Sequence, residues 1–169
     1  MTNREIWRSI DGYANYEVSV FGGVRNSTTE RMLKLNYDSN GYCQVCLSKQ
    51  GENKSHKIHQ LVAWEFIGNP LNKPAVDHID HDVANNHVDN LRFASISENG
   101  GNRKKQSNTS SIYKGVSFHK RINKWHAQIQ VNKCRKSLGY FEDEKEATRK
   151  YNEAAGELFG EFAKVNLID

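Results

Sequence analysis

Asp77 and His78 are adjacent, Asn90 follows in Asp-Asn-Leu-Arg, and Asn99 in Ser-Glu-Asn. Residues of these types at these spacings can together hydrolyse a phosphodiester. A carboxylate and an amide oxygen are hard donors for a divalent cation, and an imidazole can take a proton from water near neutral pH. Neighbouring side chains on a strand point to opposite faces, so Asp77 and His78 divide into ligand and base. A carboxylate–amide pair supplies two protein oxygens and leaves the rest of an octahedral shell to water and phosphate. Each fragment alone is commonplace: Asp-His arises by chance, and Asn-Leu-Arg can close any turn. Other residues nearby read more simply. His59 packs or hydrogen-bonds on a helix, His81 is a loop residue, and His87 lies in a polar loop. Asn85 and Asn86 are turn residues, while Arg92 suits a phosphate contact or the end of a strand equally.

These residues need elements to hold them. Ile58, Leu61, Val62, Phe66 and Ile67 recur at helical spacing, and Gly68-Asn69-Pro70 stops that helix. From Glu5 to Lys57 the chain is β-rich. Trp7–Ile10 leads through Asp11-Gly12 to Tyr16–Val20, Gly22-Gly23 turns into Val24-Arg25, and Asn40-Gly41 turns into Tyr42–Leu47. Ser95 and Glu98 form a capping box that should start a helix with Asn99 in its first turns. Gly100-Gly101 then costs about 1 kcal/mol per glycine relative to alanine. That cost implies either a close approach of backbone to a phosphate or a short, fraying helix.

Ser107–Ser111 is small and polar, and reads as a linker. Beyond it, Tyr113–His119, Lys124–Val131 and Arg135–Gly139 alternate like three antiparallel strands. A helix follows from Glu144, with Ala147, Tyr151, Ala154, Ala155, Leu158 and Phe159 on one face, Asp143 and Glu146 as a capping box, and Gly160 closing it. The expected class is α+β: an N-terminal β-rich module (1–57), a central two-strand-and-helix module (58–106), a linker (107–111), and a three-stranded antiparallel sheet packed on one helix (112–169).

At 169 residues with 37% apolar content the chain can build small cores only. Its net charge of +4 is modest, but its distribution is not. No acidic residue falls between Asn99 and Phe141, whereas ten lysines and arginines do, Arg103, Lys104 and Lys105 among them. Aromatic and strand-forming residues interleave this run, which favours a polyanion-binding surface. Three cysteines do not make a disulfide framework, and Cys43 and Cys46 point to opposite faces of a strand, so packing is their expected role. No apolar stretch reaches membrane-spanning length and no signal peptide opens the chain, so a cytoplasmic protein with no membrane partner is expected.

The segment from Ala75 to Asn102, AVDHIDHDVANNHVDNLRFASISENGGN, closely resembles the HNH, or ββα-metal, nuclease motif of phage-type homing endonucleases. The Trp-x-x-Ile, Tyr-x-x-Tyr-Glu-Val-Ser, Gly-x-Val-Arg and Ile-His-Gln-Leu-Val-Ala traits resemble the module that precedes that motif, with Gln60 where the family has arginine. The resemblance implies a metal-dependent, site-selective DNA endonuclease of the homing type. His78 would be the general base, Asp77 and Asn99 the ligands of one Mg2+ or Mn2+ ion, and Asn90 a hydrogen-bonding brace across the loop that keeps His78 aimed. Arg25, Lys34 and Lys57 would be candidate phosphate contacts. The family usually has glycine after its second acid, where this chain has His81 after Asp80.

Residues 112–167 resemble the DNA-binding domain of plant ethylene-response factors, through Tyr-Lys-Gly-Val, Lys-Trp-x-Ala-x-Ile, Leu-Gly-x-Phe, Glu-Ala-x-x-x-Tyr and Ala-x-x-Asn. That resemblance places Lys114, Ser117, His119, Trp125, Gln128, Gln130 and Arg135 on double-stranded DNA, with Arg103 and Lys104 added from the basic run. Trp125 suits a core position equally. Ser117, His119 and Gln130 stand where the family has arginines, so its GC-rich target is not implied here. One Asp-His motif per chain implies nicking by a monomer, in the host cytoplasm if the gene is phage-borne. The alternatives are a DNA-binding regulator with an inactive nuclease fold, or an HNH nuclease of packaging or restriction.

Overall fold

A computed structural model describes residues 4–103, 105 and 110–168, and the chain divides into two compact units, Met1–Phe93 and Ala94–Asp169. In the first unit, β1 (Trp7–Ile10), β2 (Tyr13–Ser19) and β3 (Val24–Asn26) form an antiparallel sheet in that order. A second sheet holds β4 (Asn36–Tyr37), β5 (Cys43–Lys49) and β6 (Glu52–Lys57), again antiparallel and in chain order. Cys43 is buried and Cys46 exposed, as the two-residue period of β5 requires.

β6 runs directly into α1 (Ile58–Phe66). This helix buries Ile58, Leu61 and Val62 against Val18, Val24, Val45, Leu47 and Leu91. Burying each such side chain is worth about 1.5–3 kcal/mol, so the helix is fixed by one face. Residues on either side of position 57 therefore share one core. At the far end of α1, the Arg8 guanidinium donates to the Glu65 carbonyl and lies 4.7 Å from the centre of the Phe66 ring, which ties the helix C-terminus to β1. A two-stranded sheet of β7 (Ala75–His78) and β8 (Leu91–Ala94) follows.

The second unit opens with α2 (Ile96–Asn102), whose capping box is formed: Ser95 Oγ accepts from the Glu98 amide and Glu98 accepts from the Ser95 amide. β9 (Val116–His119), β10 (Lys124–Val131) and β11 (Cys134–Phe141) make an antiparallel sheet in the order β11-β10-β9. α3 (Glu144–Phe159) packs on it through Ala147, Tyr151, Ala154, Ala155 and Phe159. Asp143 caps α3 by accepting from the Glu146 amide. Leu158, expected on the same face, is 43% exposed instead. By contacts α2 belongs with β10 and α3, inside the second unit.

The expected linker lies partly outside the described residues. Its last two members are structured: Ser111 is buried and accepts from the Tyr113 amide, and Ser110 accepts from the Phe118 amide. Small polar residues here serve turns that open the sheet, and composition alone does not separate such turns from a linker.

Candidate active site

β7 brings Asp77 and His78 into the first unit, and both are buried, at 6% and 5% exposure. Simple alternation would leave one of them open. Each is covered by a different neighbour instead. Arg92, on β8, grips Asp77: its Nε and Nη2 both donate to Asp77 Oδ2 at 3.0 Å. Arg92, expected at a phosphate or a strand end, forms instead an ion pair that orients the carboxylate.

His78 is held from two sides. Its Nε2 lies 3.2 Å from Asn86 Oδ1, and Asn86, itself buried, donates from Nδ2 to the Ala84 carbonyl at 3.1 Å. With the amide so oriented its oxygen faces the ring. An amide oxygen at Nε2 suits the tautomer with its proton on Nε2, in which Nδ1 is the basic nitrogen. Asn86 is more than the turn residue its sequence context suggested.

On the other side stands His59, from α1, with its ring 4.9 Å from that of His78 at 65° and 5.1 Å from Tyr42. Burial pushes the His59 pKa down to about 3, with the positive potential of His78 and Lys57 adding and Asp38 opposing. The ring stays neutral at ordinary pH, and its Nδ1 is buried without a hydrogen-bond partner. His59 packs, as expected of it, but against the candidate base. The helical spacing assigned His59 to packing without indicating which ring it would meet.

Asn90 braces the loop, not the imidazole itself. Its Nδ2 donates to Asp80 Oδ1 at 2.9 Å and to the Asn85 carbonyl at 2.8 Å, and its Oδ1 accepts from the Asp80 amide at 3.1 Å. Burial acts to raise the Asp80 pKa, but hydrogen bonds from Asp82, Asn85 and Asn90 and the charge of His78 outweigh it and lower the net value. His81 has φ +65°, a left-handed backbone. This accounts for the glycine that the resembling family has at this position. His87 accepts from the Asp89 amide at 3.1 Å and so caps the turn before β8.

The N-terminal sheet supports the same loop. A Cβ on Gly22 (φ +83°) would lie 2.9 Å from Asn86 Cβ, so only glycine allows this approach. Val20 accepts from the Val88 amide at 2.8 Å, and the Phe21 and His87 rings are 5.0 Å apart.

Asn99 lies on α2 in the second unit and is half-buried. Asp77 offers a carboxylate oxygen and Asn99 an amide oxygen, donor types that hard divalent cations accept. Among the described residues no three His, Cys, Asp or Glu side chains gather to hold a metal, so any cation at Asp77 depends on amide, water or substrate oxygens.

The second unit has its own polar face. Cross-strand pairs share a side of a sheet, and the pairs Lys124–His119, His126–Ser117, His126–Tyr140, Gln128–Ser137 and Gln130–Arg135 run across β9, β10 and β11. Ser117, His119, Gln128, Gln130 and Arg135 therefore fall together. Sequence reading missed His126, Ser137 and Tyr140 on the same side. There His126 stacks on Tyr140 at 4.5 Å and its Nε2 lies 2.9 Å from Ser137 Oγ. Trp125 departs from the expected DNA-facing residues. It alternates with Gln128 and Gln130, shares the side of Ala127 and Ile129, and packs on the core with its ring 5.0 Å from Phe118. Lys114 is half-buried, and its ammonium donates to the Gly101 carbonyl. Burial, with Lys164 and Arg103 adding, pushes its pKa down to about 8. Arg103 is exposed at the end of α2, and Lys104 lies outside the described residues.

In the first unit, then, an Asp-His strand lies beside a loop braced by Asn90. Residues 5–48 match the NUMOD4 motif and residues 56–100 match the HNH endonuclease family. The chain carries an HNH endonuclease domain with a NUMOD4 motif ahead of it. It is 37% identical over 129 residues to an uncharacterized HNH endonuclease of Acanthamoeba polyphaga mimivirus, covering 73% of this chain and 66% of that one. Another mimivirus HNH endonuclease is 40% identical over 100 residues, 56% of this chain and 25% of that one. DNA endonuclease I-HmuI of Bacillus phage SP01 is 35% identical over 88 residues, 52% of this chain and 51% of that one. A solved structure of I-HmuI, described as DNA binding and cleavage by an HNH homing endonuclease, aligns at TM-score 0.49 with 35% identity over 53% of this chain and 52% of that one. The chain thus spans between 25% and 66% of the length of these relatives.

Proposed function

We propose that this protein is a metal-dependent, site-selective DNA endonuclease of the homing type that nicks double-stranded DNA as a monomer. The observation that carries the reading is the setting of His78: its buried ring, with Nε2 3.2 Å from Asn86 Oδ1, lies inside a segment matching the HNH family. His78 Nδ1 accepts a proton from a water, and the oxygen attacks phosphorus as the 3′-oxygen bond breaks. Asp77, oriented by Arg92, and Asn99 are the ligands for one divalent ion, Mg2+ or Mn2+, by resemblance to the family. When bound, that ion supplies charge stabilisation to the phosphate and the leaving oxygen. Asn90 holds the loop that carries Asn86, and so acts on His78 at one remove.

DNA is held by the outer face of the C-terminal sheet, through Ser117, His119, Gln128, Gln130 and Arg135, with Arg103 and Lys104 adding phosphate contacts. Glutamine at two alternate positions suits bidentate pairing with adenine. Functionally the chain divides into an N-terminal supporting module (1–57), a nuclease (58–106) and a reader (112–169). Its place of action is the cytoplasm of a phage-infected host.

Cleavage of supercoiled plasmid with Mg2+ or Mn2+ tests this. Wild type should give open circles, while His78→Ala should lose at least a hundredfold in rate, the lower end of what a positioned base contributes at about 10²–10⁴. Binding without any cutting by wild type would instead make the chain a DNA-binding regulator with an inactive nuclease fold.

A further inference from the structure

Seven residues, two of them adjacent glycines, are a poor helix on their own, because short helices gain little against the cost of nucleation. Yet α2 carries Asn99. What stabilises it lies in the C-terminal unit. Gly101 sits directly on the Phe159 ring, where a Cβ would come within 2.6 Å of Cγ. Phe159, at the end of α3, is itself 5% exposed. The Gly101 carbonyl, at the C-terminal end of α2, accepts from the Lys114 ammonium and, at 3.2 Å, from the Lys164 amide. Ser97 Oγ accepts from the Asn132 amide at 3.2 Å, beyond the point where the pairing of β10 with β9 ends at Ala127–Val116. Gly100 has nothing within 4 Å of where its Cβ would be.

We propose that the C-terminal unit positions the metal ligand Asn99, with Phe159 and Lys114 as positioning residues acting through Gly101. The inference rests on the assignment of Asn99 as a ligand under the proposed function. It gives the reader a second duty: its core holds the shape of the nuclease helix. Lys114, a DNA contact by resemblance, is engaged in holding that helix.

The adjacent glycines make the test. In the full chain, Gly101→Ala pushes α2 off Phe159, whereas Gly100→Ala meets open space and raises helix propensity. Amide hydrogen exchange over residues 96–102 should quicken at least tenfold in Gly101→Ala and slow in Gly100→Ala, with β10 and β11 unchanged. Mn2+ binding, followed by water-proton relaxation without DNA, should weaken about tenfold in Gly101→Ala only. If Gly101→Ala unfolds the whole unit, Lys114→Met supplies the same readouts. Equal exchange in α2 for both alanine variants would overturn the proposal. So would faster exchange with unchanged Mn2+ affinity. A wild-type chain that binds no Mn2+ would refute the ligand assignment beneath it, while plasmid cutting separately judges the endonuclease reading.

Discussion

An imidazole works as a base only if one nitrogen is both unprotonated and aimed, and under the proposed function that task falls to Asn86. Removing its oxygen takes away a buried hydrogen bond to the ring, at about 1–3 kcal/mol. Asn86→Ala should therefore lower kcat for DNA cleavage by about tenfold or more with KM little changed, because one such bond is worth about that factor. A fall in affinity with kcat intact would show that Asn86 serves binding. His59 contributes on the stability side. It is neutral when folded down to about pH 3, whereas an exposed imidazole takes a proton near 6.5. Between those values the unfolded chain binds more protons, so stability is lost as pH falls below about 6.5. His59→Phe keeps a ring against His78 and removes this term. Its melting temperature should drop less than that of wild type between pH 7 and pH 5, and parallel profiles would contradict the assignment.

The loop between β7 and β8 carries Asn86 and Asn90 and spends one backbone position badly. His81 is held at φ +65°, where a Cβ costs about 1–2 kcal/mol. Glycine would recover that cost and surrender about 0.5–1 kcal/mol of unfolded-state entropy. His81→Gly should accordingly leave the melting temperature unchanged or slightly raised, with cleavage retained. A clear loss of stability would mean the imidazole itself is structural. The same loop is pressed by Gly22 from the turn before β3, so the NUMOD4 segment reaches the base through Asn86 by contact alone.

For the whole molecule, the charge distribution sets how DNA is engaged. Arg135 lies exposed, paired across the strands with Gln130. Arg135→Ala should weaken DNA binding and reduce the salt slope by about one, since a phosphate contact releases roughly one counterion. Lys114→Ala should weaken binding less than its position in the resembling family implies, because its ammonium is engaged with Gly101 in the unbound protein. Fluorescence anisotropy across a salt series distinguishes the two, and an unchanged slope for Arg135→Ala would remove it from the interface.

Much of this was legible in order along the chain. The hairpins at Gly12, Gly22 and Gly41, the helix from Ile58, the Ser95 capping box and the alternation of β10 all follow from local rules of backbone freedom and apolar spacing. The Asp77, His78, Asn90 and Asn99 motif was recognisable too, as a resemblance, because its residues are close in sequence. Partnerships between distant positions were not legible. Asn86 against Gly22, His59 against His78 and Gly101 against Phe159 join residues whose local surroundings are ordinary, and only the packed chain brings them within contact. The same reason moved Trp125 into the core: resemblance named the position, but the pleat of the sheet chose its side.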